Sequence, residues 1–267
     1  MTENAPNQKI AMRQRWSDLF FAHWPLPPDE IQRLLPEDLK VDTFDGMAYV
    51  SVVAFTMTNV ALSWFTPMPG VSGTLECNVR TYVRRKDGTD PGIWFFSLDA
   101  SNAAMVAVAR ATYSLPYFYA KMNTMQVRKQ TGGTWNKAVS YDVTRTHPGA
   151  APAACALEYE PASGHVELAR FGTLEEFLVE RYRLYTVRNR TLYRANVHHS
   201  PYKLEPVKLI SMTETLTDAA GIAVPNEPPL VHFAREVFVE VEPVMSDKRA
   251  TTSEGNVAKH CPAPQPA

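Results

Sequence analysis

The residues best suited to grip a small polar molecule lie in one stretch. Positions 74–83 read Thr-Leu-Glu-Cys-Asn-Val-Arg-Thr-Tyr-Val. Side chains alternate faces along a strand. Leu75, Cys77, Val79, Thr81 and Val83 therefore share one face, and Glu76, Asn78, Arg80 and Tyr82 share the other. An acid can move a proton, an amide can give and accept hydrogen bonds, and a guanidinium can fork onto a carboxylate. The competing reading is structural, because a half-buried antiparallel strand with a solvated polar face alternates in the same way. If the polar face lined an enclosed space, Glu76 and Arg80 would stand ~13 Å apart at the backbone. Asn78, Tyr117, His198, water or a ligand would then have to fill the gap between them.

Other chemistries fail on residue type or spacing. There is no glycine-rich phosphate loop and no Gly-x-Ser-x-Gly elbow. His198 and His199 are adjacent, and adjacent strand residues point to opposite faces, which makes a poor metal clamp. No metal and no cofactor is expected. Glu180-Arg181 reads as an internal ion pair or a cap on neighbouring loops, in either case structural, and Tyr117 and Tyr119 as packing residues with satisfied hydroxyls. Cys77, Cys155 and Cys261 are too few and too scattered for a disulfide or zinc framework. A reduced, cytoplasmic setting follows as the expectation.

The elements that must position these residues can be read from pattern and composition. The chain has 267 residues, 45% of them hydrophobic, so a substantial core can form. Its net charge is −1, from 27 basic and 28 acidic residues, which gives no pull toward nucleic acid or an anionic membrane. No apolar run reaches the ~18 residues of a membrane span. Positions 1–11 lack the apolar segment of a signal peptide and read as a tail. A small molecule is the expected partner, and a homo-oligomer is compatible with the sequence.

Strands are expected over 16–24, 40–44, 47–55, 74–83, 92–98, 122–129, 139–143, 184–186, 192–198 and 231–241, and a less clean alternation runs over 156–159. Asp45-Gly46 signals a tight hairpin. Pro28-Asp29-Glu30 opens one helix, Ser101 caps a second over 102–111, and Thr173-Leu174-Glu175-Glu176 is a capping box for a third. The segment 92–98 does not alternate, which predicts burial on both faces. The ranges 66–73 and 147–154 and the pair Gly132-Gly133 read as loops, and 209–217 carries no clear pattern. From Pro243 onward the composition is that of a flexible tail. The whole reads as one mostly antiparallel β domain over 12–243, with a few short helices and a tail over 244–267.

Several stretches also carry a family resemblance. They include Phe21-Ala22-His23-Trp24-Pro25, Leu35-Pro36-Glu37-Asp38-Leu39, Asp42-Thr43-Phe44-Asp45-Gly46, Asn78-Val79-Arg80-Thr81-Tyr82-Val83, Trp94-Phe95-Phe96-Ser97-Leu98-Asp99-Ala100, Leu115-Pro116-Tyr117, Glu180-Arg181-Tyr182 and Val197-His198-His199. Together they resemble the YqjF-like family, a bacterial domain of unknown function. That family is similar in turn to the acetoacetate decarboxylase superfamily. The resemblance implies a mostly β (α+β) fold, an antiparallel barrel with a polar pocket inside. The decarboxylase uses a Schiff-base lysine beside a second lysine, which lowers its pKa. At the matching place after Pro116 this chain has Tyr117 and Phe118, and neither can form an imine. Lys121 lies beyond that place and has no lysine neighbour. Glu76 falls where the decarboxylase strand carries an acid. The expected function is binding of a small carbonyl or carboxylate compound by Glu76, Asn78, Arg80, Tyr117 and His198, without a Schiff base. The alternative is an enzyme using Glu76 as a non-covalent acid or base.

Overall fold

Every residue from Thr74 to Val83 is buried, on both faces of its strand. The computed structural model behind this observation describes residues 10–62, 73–131, 134–162, 164 and 166–247. In chain order its elements are β1 (Met12–Leu26), α1 (Pro28–Gln32), β2 (Leu39–Val41), β3 (Ala48–Leu62), β4 (Thr74–Arg85), β5 (Gly92–Ala100), α2 (Ala103–Tyr113), β6 (Tyr117–Thr131), β7 (Thr134–Arg145) and β8 (Ala154–Pro161). They continue with β9 (Glu167–Leu168), α3 (Leu174–Val179), β10 (Arg183–Arg188), β11 (Thr191–His199), β12 (Lys203–Glu205), β13 (Val207–Glu214), α4 (Leu216–Ala219), β14 (Leu230–Val241) and β15 (Met245–Ser246).

The strand pairings run in a ring, β5-β10-β11-β14-β1-β3-β4 and back to β5. Most neighbours are antiparallel, but β5 runs parallel to both β10 and β6. From β5 the sheet also branches outward through β6, β7, β8 and β13. This outer sheet lies against the ring's outside, which accounts for the double burial of β4. Leu75, Cys77 and Val79 face outward and share a core with Val139, Tyr141, Val143, Cys155 and Leu157 of the outer sheet. Phe21, Val53, Phe55, Tyr82, Phe95 and Leu98 face the ring's interior and form a second core there. The Tyr141 hydroxyl lies 2.9 Å from the backbone oxygens of both Phe55 and Glu76, tying the outer sheet to the ring.

The ring's parallel seam depends on one small residue. A Cβ on Gly92 would stand 2.8 Å from the Arg183 oxygen and 2.9 Å from the Tyr185 ring. Only glycine lets β5 approach β10 this closely.

Several local expectations change. The Asp45-Gly46 turn forms, with positive φ at both residues, but it joins only Phe44 to Met47. The chain before it pairs with β4 instead of β3. The Gln32 side chain bonds the Leu39 oxygen and the Val41 nitrogen, and so occupies that backbone. Asn102, not Ser101, caps α2, because the Ser101 hydroxyl is used by the Leu75 nitrogen. The strand β6 starts at Tyr117, earlier than its pattern suggested, because Tyr117–Tyr119 pair in parallel with Leu98–Ala100. The unpatterned 209–217 stretch holds most of β13, which pairs along β8, and the start of α4. Four helices are described rather than three. Beyond the expected limit at 243, β15 pairs with β11. The loop read over 66–73 falls outside the described residues except for Gly73, and the Gly132-Gly133 turn lies outside them entirely.

Candidate functional site

The polar face of β4 looks into the ring. Glu76, Asn78 and Arg80 line a cavity of about 100 Å³ inside it, together with Tyr117, Arg181, His199 and Tyr202. Its remaining walls are largely apolar, among them Phe21, Val53, Phe55, Phe95 and Leu98. The parity that was legible in the sequence therefore sends the polar row inward and the apolar row against the outer sheet.

Glu76 is 3% exposed. The Tyr117 hydroxyl donates to its Oε2 at 2.8 Å, and Asn78 Nδ2 donates to its Oε1 at 3.1 Å. Burial pushes the Glu76 pKa up to about 7, against the pull of those two hydrogen bonds. Asp99 pushes the same way as burial, while Arg80 opposes it. A carboxyl that titrates near neutral pH can both take and give a proton under ordinary conditions. The Tyr117 phenol is pushed well up, first by burial and then by Glu76, so it stays a hydrogen-bond donor.

Arg80 is buried, at 7% exposure. Its Nη2 donates to the Leu178 oxygen at 3.4 Å, and its Nε has no partner. Among the described residues no carboxylate lies within ion-pair distance of it. The other deeply placed arginines are neutralised. Arg145 grips Asp99 through two bonds of 2.7 and 2.6 Å, and Arg181 reaches Asp42 at 3.0 Å. An unpaired buried charge is costly to maintain. Arg80 instead has aromatic company, its guanidinium carbon lying 5.5 Å from the Phe21 ring centre. Asn78 Oδ1 is a second buried polar atom without a partner. The cavity thus holds a free cation, a free acceptor and a carboxyl of adjustable charge.

His198 is not brought to this group. Its Nε2 lies 2.7 Å from Glu242 Oε1, and it does not line the cavity. The physical reason is parity. Ala195 and Val197 point to the interior core, so His199 points inward with them and His198 points out. The signal was present in the apolar alternation of β11. His199 sits between Tyr182 and Tyr202, each with ring centres 4.6 Å away. Burial holds its pKa below the ordinary value. Tyr202 and Tyr113 also line the cavity. They reach it through tertiary placement, and nothing in their own neighbourhoods marked them. Lys121 is exposed on β6, opposite Thr144, and no lysine lines the cavity among the described residues.

Comparison with known proteins agrees with this architecture. A solved enduracididine biosynthesis enzyme, MppR complexed with pyruvate, is 12% identical, has a TM-score of 0.57, and covers 91% of this chain and 93% of its own. A solved acetoacetate decarboxylase from Legionella pneumophila is 14% identical, has a TM-score of 0.56, and covers 92% of this chain and 94% of its own. At such identities the likeness is one of fold, and the fold is that of acetoacetate decarboxylase. The uncharacterized protein YqjF of Bacillus subtilis is 38% identical over an alignment of 243 residues, with 88% of this chain and 95% of YqjF covered. The model of the family DUF2071, described as an uncharacterized conserved protein, matches residues 13–238. The chain belongs to that family.

Proposed function

We propose that this protein binds a small carboxylate-bearing molecule in the cavity inside the ring, without a covalent bond to lysine. The observation that carries the reading is Arg80, a buried guanidinium with a free Nε and no acidic partner, facing free space. A ligand carboxylate supplies the missing charge, and two parallel hydrogen bonds give it orientation. The volume of about 100 Å³ limits the size of the ligand. A dry apolar cavity of about 150 Å³ can hold benzene, so a cavity of about 100 Å³ restricts the ligand to a short-chain acid. The solved pyruvate complex of MppR is compatible with ligands of this size in this fold.

A thermal-shift screen tests the reading with acetate, propanoate, pyruvate and 2-oxobutanoate, each beside its neutral amide. At ~100-fold excess over Kd a carboxylate should raise the melting temperature by about 5–10 °C. The amides should do so weakly, and Arg80→Met should remove the difference. Equal shifts from acids and amides, or from wild type and Arg80→Met, would contradict the reading.

A second reading is supported by Glu76. A carboxyl raised to about 7 and set at the cavity wall beside Tyr117 is suited to acid–base catalysis on the bound molecule. Under that reading the protein is an enzyme, and Glu76→Gln leaves binding in place while stopping turnover.

A further inference from the structure

Resting on the carboxylate reading of the cavity, we infer that the site converts a short 2-oxo carboxylate to its enol and back, with Glu76 moving the proton and Asn78 recognising the enol. Three features of the site point to this. Arg80, with its Nε unpartnered, anchors the carboxylate and meets negative charge that develops on the oxygen of the next carbon. Asn78 lies between Arg80 and Glu76 on the same face, and its Oδ1 is buried without a donor. A ketone offers only acceptors and leaves that atom unmet, whereas an enol hydroxyl donates to it. The site is therefore better matched to the enol than to the ketone, which is the condition for lowering the barrier between them. Third, Glu76 keeps a free lone pair on each oxygen after accepting from Tyr117 and Asn78.

The step balances without any other reactant. The Glu76 carboxylate takes a proton from C3. The C3–H electron pair becomes the C2–C3 double bond, and the carbonyl pair moves to oxygen, where Arg80 meets the charge. Glu76 then hands the proton to that oxygen, and the enol hydroxyl donates to Asn78 Oδ1. Reversal restores the ketone. If a solvent deuteron has replaced the carboxyl proton in the meantime, C3 returns labelled. No lysine is needed, and none lines the cavity among the described residues.

The experiment follows the C3 methylene signal of 2-oxobutanoate by proton NMR in D2O at neutral pH. Binding is followed in parallel by thermal shift. The wild-type protein should speed deuterium uptake over buffer alone. Glu76→Gln should bind the ketoacid but exchange it at least about 100-fold more slowly. Asn78→Leu should lose about tenfold, the worth of one hydrogen bond made only to the enol. Glu76→Asp, which retracts the carboxylate by one methylene, should exchange at an intermediate rate and guards against a folding artefact in the first variant. Lys121→Ala should exchange like wild type. Arg80-dependent binding with exchange no faster than buffer would overturn this inference and leave the carboxylate reading intact. Absence of 2-oxobutanoate binding, with other carboxylates still bound through Arg80, would overturn it as well. Absence of all carboxylate binding would overturn both. A borohydride-trapped adduct on a lysine would replace the step with imine chemistry.

Discussion

At the residue scale, the site rests on two buried groups held in unfavourable states. Ionised Glu76 pays for its burial, and Arg80 lacks an acid. The sign for Glu76 follows from its raised pKa. The folded protein holds the proton up to about 7, whereas the free group loses it near 4.5. Stability from this group is therefore full below about 4.5 and is lost as pH rises through 7. Glu76→Gln carries no such charge. Its melting temperature should gain on wild type between pH 5 and pH 8, and a constant difference across that range would contradict the assignment. The charged and titratable groups that bear on Glu76 are Asp99, Arg80 and Tyr117. Arg80→Met should leave the free protein as stable as wild type or more stable, because it deletes an unpaired buried charge. A loss above about 3 kcal/mol in urea unfolding would mean that Arg80 is a structural residue. The sequence revealed that Glu76, Asn78 and Arg80 share a face, since strand parity is local. It did not reveal that the face is enclosed, because that depends on the outer sheet, nor that the adjacent His199, rather than His198, joins the group.

At the element scale, the site depends on how β4, β5, β6 and α3 meet. The β4 strand carries the polar row, β6 delivers Tyr117, and the Leu178 oxygen of α3 receives bonds from Arg80 and from the Tyr82 hydroxyl, the latter at 2.7 Å. The capping box of α3 was legible, and Thr173 does accept from the Glu176 nitrogen. The early start of β6 was not, because Pro116 and the aromatic residues after it look like a break when the parallel partner Leu98–Ala100 is unknown. The seam between β5 and β10 is the weakest closure of the ring, with two paired positions. Gly92→Ala should force that seam apart and cost about 1–3 kcal/mol, since the new methyl group meets a backbone oxygen rather than a pliable side chain. Equilibrium unfolding checks this, and an unchanged midpoint would show that the seam does not hold the ring.

At the scale of the whole molecule, a mostly β fold was readable from the many short strands and turn signals. The two-layer arrangement was not, since only long-range pairing decides which apolar face meets which. Among the described residues no helix is long and apolar enough to cross a membrane. Past 243, Asp247 pairs with Arg85 and Arg194 while β15 adds to β11. We expect a chain ending at 243 to melt lower than one ending at 247, and a chain ending at 247 to melt like the full sequence. Equal melting of all three would place the boundary where the composition suggested. The central claim is that the ring's interior holds a carboxylate on Arg80, and a crystal structure with 2-oxobutanoate tests it most directly. The account requires both carboxylate oxygens within hydrogen-bond distance of the Arg80 guanidinium and the rest of the ligand extending toward Asn78 and Glu76. Ligand density outside the ring, or inside it with Arg80 turned away, would contradict the account.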